Sequence, residues 1–439
     1  MSQNCDISTV MRRDQNMKYM TAGVTPLRLT ILLLIVYMVA FADRQLPAML
    51  GEEIAREFKL GDTALGALHG YGFAIFYALA AVPAGCLVDH VPRLRLLGLC
   101  LLVWSTATII CGLAPSLTQL SVSRLVVGLG QAALVPAAYS LLGDVWPRSR
   151  TGVAVAGFAI GPYLGVGSML LLGGQLASFT NWRPPFLVAG LFGIGIAFIV
   201  LRWPELPPQK NISMREAAPA QHWAATLVYF RNHVVIIAAI DGALLFAAMA
   251  VHAVLGWGVI WLTRSHGLLL GEATLALVAV VLVGGGLGTI AGGMAGDRLA
   301  RFDNGHGRLC LLGAAMLVAA PTAWAAFTSG GSTAALGLLT LLITLVAIAL
   351  ATGPAALQDI TPPSMRGIQH GLAVFLVNMF GLGLGPLLVG MVSETFDDRE
   401  AGLGSALATT VPVMLFLAAT MAATGRYARC APGRPFSTT

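Results

Sequence analysis

The sequence predicts an all-α membrane protein, with twelve transmembrane helices arranged as two pseudo-symmetric six-helix bundles. Three observations carry that expectation. Hydrophobic residues make up 57% of the chain and charged residues only 10%, far from the balance of a soluble domain. The apolar residues gather into stretches of about 20, the length that crosses roughly 30 Å of hydrocarbon. Two kinds of polar loop also recur six stretches apart, so the second half of the chain repeats the first.

Hydropathy places the spans at 29–50, 63–86, 94–114, 118–141, 152–177, 185–202, 233–262, 272–295, 308–328, 333–355, 367–392 and 404–424. Residues 1–28 lack the apolar core of a signal peptide and read as a polar tail. The expected divisions are a first bundle at 29–202, a proline-rich linker at 203–232, a second bundle at 233–424 and a tail at 425–439. With the N-terminus in the cytoplasm, nineteen Lys and Arg fall inside and five outside. That positive-inside bias puts both termini in the cytoplasm, in a plasma membrane of bacterial inner-membrane type. The net charge of +6 is then a topology signal and calls for no nucleic acid, only anionic lipid headgroups. No Cys-x-x-Cys pair or Cys/His cluster points to a metal, and no cofactor motif is present.

Span one holds the most informative stretch, Phe41-Ala42-Asp43-Arg44-Gln45-Leu46-Pro47. An ionised side chain at that depth costs roughly 3 kcal/mol or more unless it faces a wet, protein-lined cavity. Asp43 and Arg124 of span four lie level, each roughly 10 Å from the outer end at 1.5 Å per residue. Adjacent helical residues do not face each other, so Asp43 is expected to reach Arg124 and leave Arg44 without an internal anion. Two guanidiniums and one carboxylate leave a positive patch suited to a phosphate or carboxylate. His69 of span two comes to a similar depth, and Gln131 lies two turns from Arg124 on one face. The expected substrate-binding set is therefore Arg44, Arg124, Gln131 and His69. The plainer alternative is a structural network of Asp43, Arg44 and Arg124 locking span one to span four, with His69 as packing.

Span seven carries the remaining buried acid, Asp241, without an obvious basic partner. Intramembrane acids mark proton relays, so Asp43 and Asp241 are the proton-coupling candidates. The loops after spans two and eight repeat one pattern: Gly85 with Asp89, Arg93 and Arg95, then Gly293 with Asp297, Arg298 and Arg301. The loops after spans four and ten repeat another: Asp144 with Arg150, then Asp359 with Arg366. Asp89 could cap a span of the opposite half, and the arginines could bridge to Asp144, so these loops are expected to gate. Gly157-x-x-x-Gly161-Pro162-x-x-Gly165 in span five and Gly284-Gly285-Gly286 with Gly288 in span eight allow close approach and bending.

The doubled Gly-x-x-x-Asp…Arg loops, the run from Arg124 to Gly130 and Asn181-Trp182-Arg183 resemble the major facilitator superfamily. Within it, Asp43-Arg44-Gln45, the run from Gly72 to Tyr77, the run from Gln358 to Gly367 and the run from Asn378 to Pro386 resemble the Spinster-like transporters. The resemblance implies alternating access between two bundles, often proton-linked, with lysolipids, sphingoid phosphates or other amphiphilic anions as cargo. Such relatives usually carry a glutamate implicated in proton coupling where this chain has Gln131, which cannot titrate.

The expected function is secondary active transport of an amphiphilic or organic anion, with proton coupling open. The alternatives are an anion/cation symporter for a small hydrophilic carboxylate such as a sugar acid, and a drug or solute antiporter. An enzyme is disfavoured, because no metal spacing, Gly-x-Ser-x-Gly elbow or phosphate-binding loop is present. Two gating loops per half argue against a channel. Tyr163, Gln131 and Asn378 are too few polar residues to choose between lipid and sugar acid.

Overall fold

The computed structural model describes residues 25–88, 90–147, 150–205, 227–302, 306–362 and 365–430. It is a multi-pass membrane protein of twelve long apolar helices, 20 to 33 residues each, with no strand among the described residues. The spans run Pro26–Met49, Asp62–Ala81, Arg93–Gly112, Leu117–Val145, Gly157–Phe179, Arg183–Arg202, Val234–His266, Leu270–Ala300, Gly307–Thr328, Ser332–Ile360, Ile368–Ser393 and Ala401–Tyr427. The end of the molecule where span one begins is called here the near face, and the opposite end the far face. The expected Asp89 cap lies outside the described residues.

Span one starts where local chemistry says it can. Thr25 accepts from the N–H of Arg28 through its hydroxyl at 3.3 Å, and Pro26 occupies the first turn, where its missing N–H costs nothing. The helix carries Pro47, ends at Met49 and restarts as the short helix Gly51–Phe58 along the far face. Several spans exceed their hydropathic lengths: span four continues to Val145 and span ten to Ile360. Both extensions are amphipathic helix beyond the apolar stretch, which a hydropathy window truncates.

Glycine decides how closely the helices approach. Span eight lays Gly284, Gly288 and Gly292 against span ten, where a Cβ at each would fall within 3.0 Å of the backbone at Thr340, Thr344 or Ile348. Spans five, eight and eleven each contain one wide turn of π-helix, at Met169–Gly173, Val280–Gly285 and Val377–Leu382. Such turns shift the helical register and collect at functional sites. Here they occur in the spans that meet across the two halves.

Each half has its own near-face clasp. Arg93, 6% exposed, opens span three and meets Asp144 at the end of span four at 2.5 Å and the Ser140 hydroxyl at 2.6 Å. Arg308, opening span nine, donates to Asp359 at the end of span ten at 2.7 Å and to Asp297 at 2.8 Å. The two clasps are equivalents in the repeat. Arg308 plays the part that the loop pattern suggested for Arg298 or Arg301. Arg298 is exposed, and the side chain of Arg301 lies outside the described residues. Arg150 is exposed, Arg366 donates to its own loop carbonyl at Thr361 at 3.1 Å, and a Cβ at Gly85 or Gly293 would meet open space. The Arg93–Asp144 bridge is the one the loop pattern suggested, and both clasps lie within one half.

Candidate transport site

The site is built where span one passes spans two and four. Arg44 Nε donates to Gln131 Oε1 at 2.8 Å, and Gln131 Nε2 donates to the Ala40 carbonyl at 3.3 Å. Gln131 is fully buried, so its amide is spent on both sides. The Arg44 guanidinium carbon lies 4.5 Å from the Phe41 ring centre and 4.7 Å from those of Phe73 and Tyr77. Three rings at that distance hold the cation by cation–π attraction, each contributing about 0.5–1 kcal/mol or more when dry. Arg44 has no carboxylate partner among the described salt bridges and stays partly exposed in the middle of a span.

Asp43 and Arg124 do not form the carboxylate–guanidinium pair expected of them. Asp43, 1% exposed, takes the Thr108 hydroxyl of span three at 2.7 Å. Arg124, also 1% exposed, donates instead to the backbone carbonyl of Asp43 at 3.1 Å and lies 5.9 Å from the Phe73 ring. The carboxylate turned toward a third helix, a rotation that depth arithmetic does not fix. Arg124 is thus bonded to the backbone of span one, the geometry of the structural alternative. His69 follows the packing alternative. It is 7% exposed and packs edge-on against Trp257 of span seven, ring centres 5.5 Å apart. It belongs to the wall between the halves.

That wall extends from just above Arg44 to the far face. Gln45 Nε2 donates to the Leu255 carbonyl at 3.0 Å, and Gln175 Nε2 to the Gly271 carbonyl at 3.1 Å. Arg264 of span seven reaches Glu52 at 2.7 Å and Asp62 at 3.0 Å. Asp62, 2% exposed, also accepts from the Ser393 hydroxyl at 2.8 Å. Thr63 donates to Glu394 through its N–H at 3.0 Å and its hydroxyl at 2.5 Å. Sequence reading treated Arg264 only as an outside charge and missed this latch. Its signal was present as Glu52, Asp62 and Arg264 at three adjacent span ends. Nearby, Arg183 forks onto Glu57 at 2.6 and 2.7 Å, and Trp182 Nε1 donates to the same carboxylate at 2.7 Å. Those donors hold the Glu57 carboxyl below its usual range.

On the near-face side of Arg44 the space is lined by rings. Tyr139 is 39% exposed, and Tyr163 meets Thr289 of span eight through their hydroxyls at 2.8 Å. Asn378 donates one amide N–H to the Val374 carbonyl of its own helix at 2.8 Å. Asp241 stands apart, 3% exposed, its two oxygens 3.2 and 2.9 Å from the Gln369 amide nitrogen. It floors a cavity of about 450 Å³ walled by Phe230, Val234, Leu245, Leu372 and Leu376. Gln369 is the partner that sequence reading lacked.

Twelve membrane-spanning helices in two repeated halves, joined along a wall of polar bonds, are the build of a membrane transporter. The chain belongs to the Major Facilitator Superfamily, whose family model matches residues 33–386. It is 28% identical over 389 residues to an MFS-type efflux pump of Mycolicibacterium smegmatis, covering 86% of this chain and 87% of that protein. It is 26% identical over 196 residues to the probable galactarate/D-glucarate transporter GudP of Bacillus subtilis, 43% of this chain and 42% of that one. Among solved structures, the inward-facing, occupied form of a bacterial homolog of the human lysosomal transporter Spinster superposes with a TM-score of 0.78. That match has 22% identity and covers 94% of this chain and all of the other, and it shows the fold. The superfamily is the one the loop motifs pointed to, and its fold is shared with the Spinster homolog.

Proposed function

We propose that this protein is a secondary active transporter that works by alternating access and carries an organic anion with an apolar body to Arg44. The observation that carries the reading is the guanidinium itself. It is ringed by three aromatic faces, bonded to a neutral amide and in ion-pair contact with no carboxylate among the described residues. With glutamate at position 131 the pair would be neutral; with Gln131 the guest must supply the negative charge. Apart from the Tyr163–Thr289 pair on the near-face side of Arg44, the polar bonds named between the halves lie from Gln45 to the far face, which supports a conformer held together at the far face. The positive-inside bias makes the near face cytoplasmic, with both termini on that side and a plasma membrane as the setting. The two near-face clasps keep each half rigid while the halves rock.

Restoring the acid tests the site. Gln131→Glu is expected to pair with Arg44, lower anion uptake at neutral pH and recover it as the pH falls and the glutamate is protonated. Uptake in proteoliposomes across a pH series reads this out, and a profile identical to the parent would remove position 131 from the pathway.

Asp241 is the proposed proton carrier. It is a buried acid with an amide partner and, among the described residues, no ion pair, although Arg231 lines the same cavity, and intramembrane acids mark proton relays. Asp241→Asn is expected to leave substrate exchange intact while abolishing its response to an imposed pH gradient. An unchanged response would assign coupling elsewhere or show that no proton moves.

A second reading, a symporter for a small hydrophilic carboxylate such as a sugar acid, draws on the partial similarity to the galactarate/D-glucarate transporter. Long-chain cargo of the lysolipid or sphingoid-phosphate kind draws on the fold match. Parallel proteoliposome uptake of a lysolipid, a sphingoid phosphate and a sugar acid separates the two.

A further inference from the structure

Half of the chain's eight tyrosines converge on one wall below Arg44. Tyr37 of span one lies within electrostatic reach of Tyr77, Tyr139, Tyr163 and Arg44, which come from spans two, four, five and one. The rings form a continuous chain. Tyr139 meets Phe158 edge-on at 5.7 Å, Phe158 stacks on Tyr37 at 4.3 Å with only 4° between planes, and Tyr37 meets Phe41 edge-on at 5.1 Å. Phe41 then lies against the Arg44 guanidinium, with the stacked pair Phe73 and Tyr77 on its other sides. Phe158 is fully buried while Tyr37 is only partly so, so Tyr37 is backed by Phe158 and keeps part of its surface uncovered. A Cβ on Gly161 would lie 3.0 Å from the Tyr37 ring, so that glycine leaves just enough room for the ring to stand where it does.

We infer that the cargo is a planar aromatic carboxylate of the benzoate kind, its carboxylate on Arg44 and its ring against Tyr37 and the neighbouring phenols. This deepens the organic-anion reading and rests on it. The choice among anions follows from what each would gain from this wall. An alkyl chain gains in proportion to the apolar area it buries and is indifferent to whether leucine or tyrosine supplies it. A sugar acid needs amide and carboxylate partners for its hydroxyls, whereas Gln131 is fully committed and Asn378 is bonded to its own helix. An aromatic ring gains offset or edge contacts worth about 0.5–1.5 kcal/mol per partner beyond its area. Tyrosine also adds hydroxyls that can meet ring substituents without breaking the apolar surface. A rigid, pre-stacked wall costs a flat guest little ordering entropy.

The test uses the purified full chain in proteoliposomes. Radiolabelled benzoate and naphthoate are compared with hexanoate, a lysophosphatidate and glucarate, by uptake and by competition. The aromatic acids should be carried and should outcompete hexanoate at least tenfold. Tyr37→Leu should weaken the aromatic acids roughly three- to tenfold with hexanoate unaltered, and Tyr37→Phe should restore most of the loss. Preferred carriage of hexanoate, lysophosphatidate or glucarate, insensitive to Tyr37→Leu, would overturn the aromatic assignment and leave the anion reading standing. If the folded protein carries none of these anions, the reading of Arg44 itself fails with it.

Discussion

Arg44→Ala is expected to abolish saturable uptake of the transported anion, a fall of at least ten- to a hundredfold in kcat/KM, while the protein still inserts and melts normally. A hydrogen bond to a charged group contributes about 1.5–3 kcal/mol, and a bidentate guanidinium–carboxylate pair in a water-poor cavity lies at the upper end. The structural cost is the bond to Gln131 and the three ring contacts, a loss that a partly exposed position tolerates without unfolding. Arg44→Lys should recover a minor part, since an ammonium keeps the charge but loses the planar fork. Uptake at the parental rate in Arg44→Ala, with Tm unchanged, would take Arg44 out of the site. The parallel change Arg124→Ala should instead lower Tm, because Arg124 holds the Asp43 carbonyl in a fully buried position.

Arg264→Ala should produce the largest conformational effect. Without it Asp62, 2% exposed and bonded also to Ser393, loses its Arg264 partner in a buried position. Removing one member of a buried ion pair costs about 3 kcal/mol or more, and opening the far face relieves that cost by hydrating the acid. The population should therefore shift by roughly a hundredfold toward a conformer open at the far face. Cysteines placed at Thr63 and Gln175 should become reactive to a membrane-impermeant thiol reagent, and the double change Asp62→Asn with Arg264→Ala should reverse much of the gain. Labelling that stays at the parental level in Arg264→Ala would show that this latch does not set the conformational balance.

The helical architecture was legible because a bilayer forces long apolar runs, and span ends were displaced only where helices continue amphipathically past the hydrocarbon, as at Val145 and Ile360. The repeat of loop patterns located both near-face clasps but misplaced one partner. Arg308 sits at a helix start outside the repeated motif, yet its reach onto Asp297 and Asp359 makes it the keystone. At the site, depth along a helix was readable at 1.5 Å per residue, which brought Asp43, Arg44 and Arg124 to one level. Rotation about the helix axis was not, so the turn of Asp43 toward Thr108 and of His69 toward Trp257 came only with packing. The far-face latch joins residues about two hundred positions apart, a pairing that no local pattern encodes.

The most direct measurement is an experimental structure of the protein with a transported anion bound. The account predicts the anionic group within roughly 3 Å of the Arg44 guanidinium, its body along Tyr37 and Tyr77, and the Arg264–Asp62 latch closed whenever the near face is open. An anion seated away from Arg44, with that guanidinium still enclosed by Phe41, Phe73 and Tyr77 and bonded only to Gln131, would contradict it.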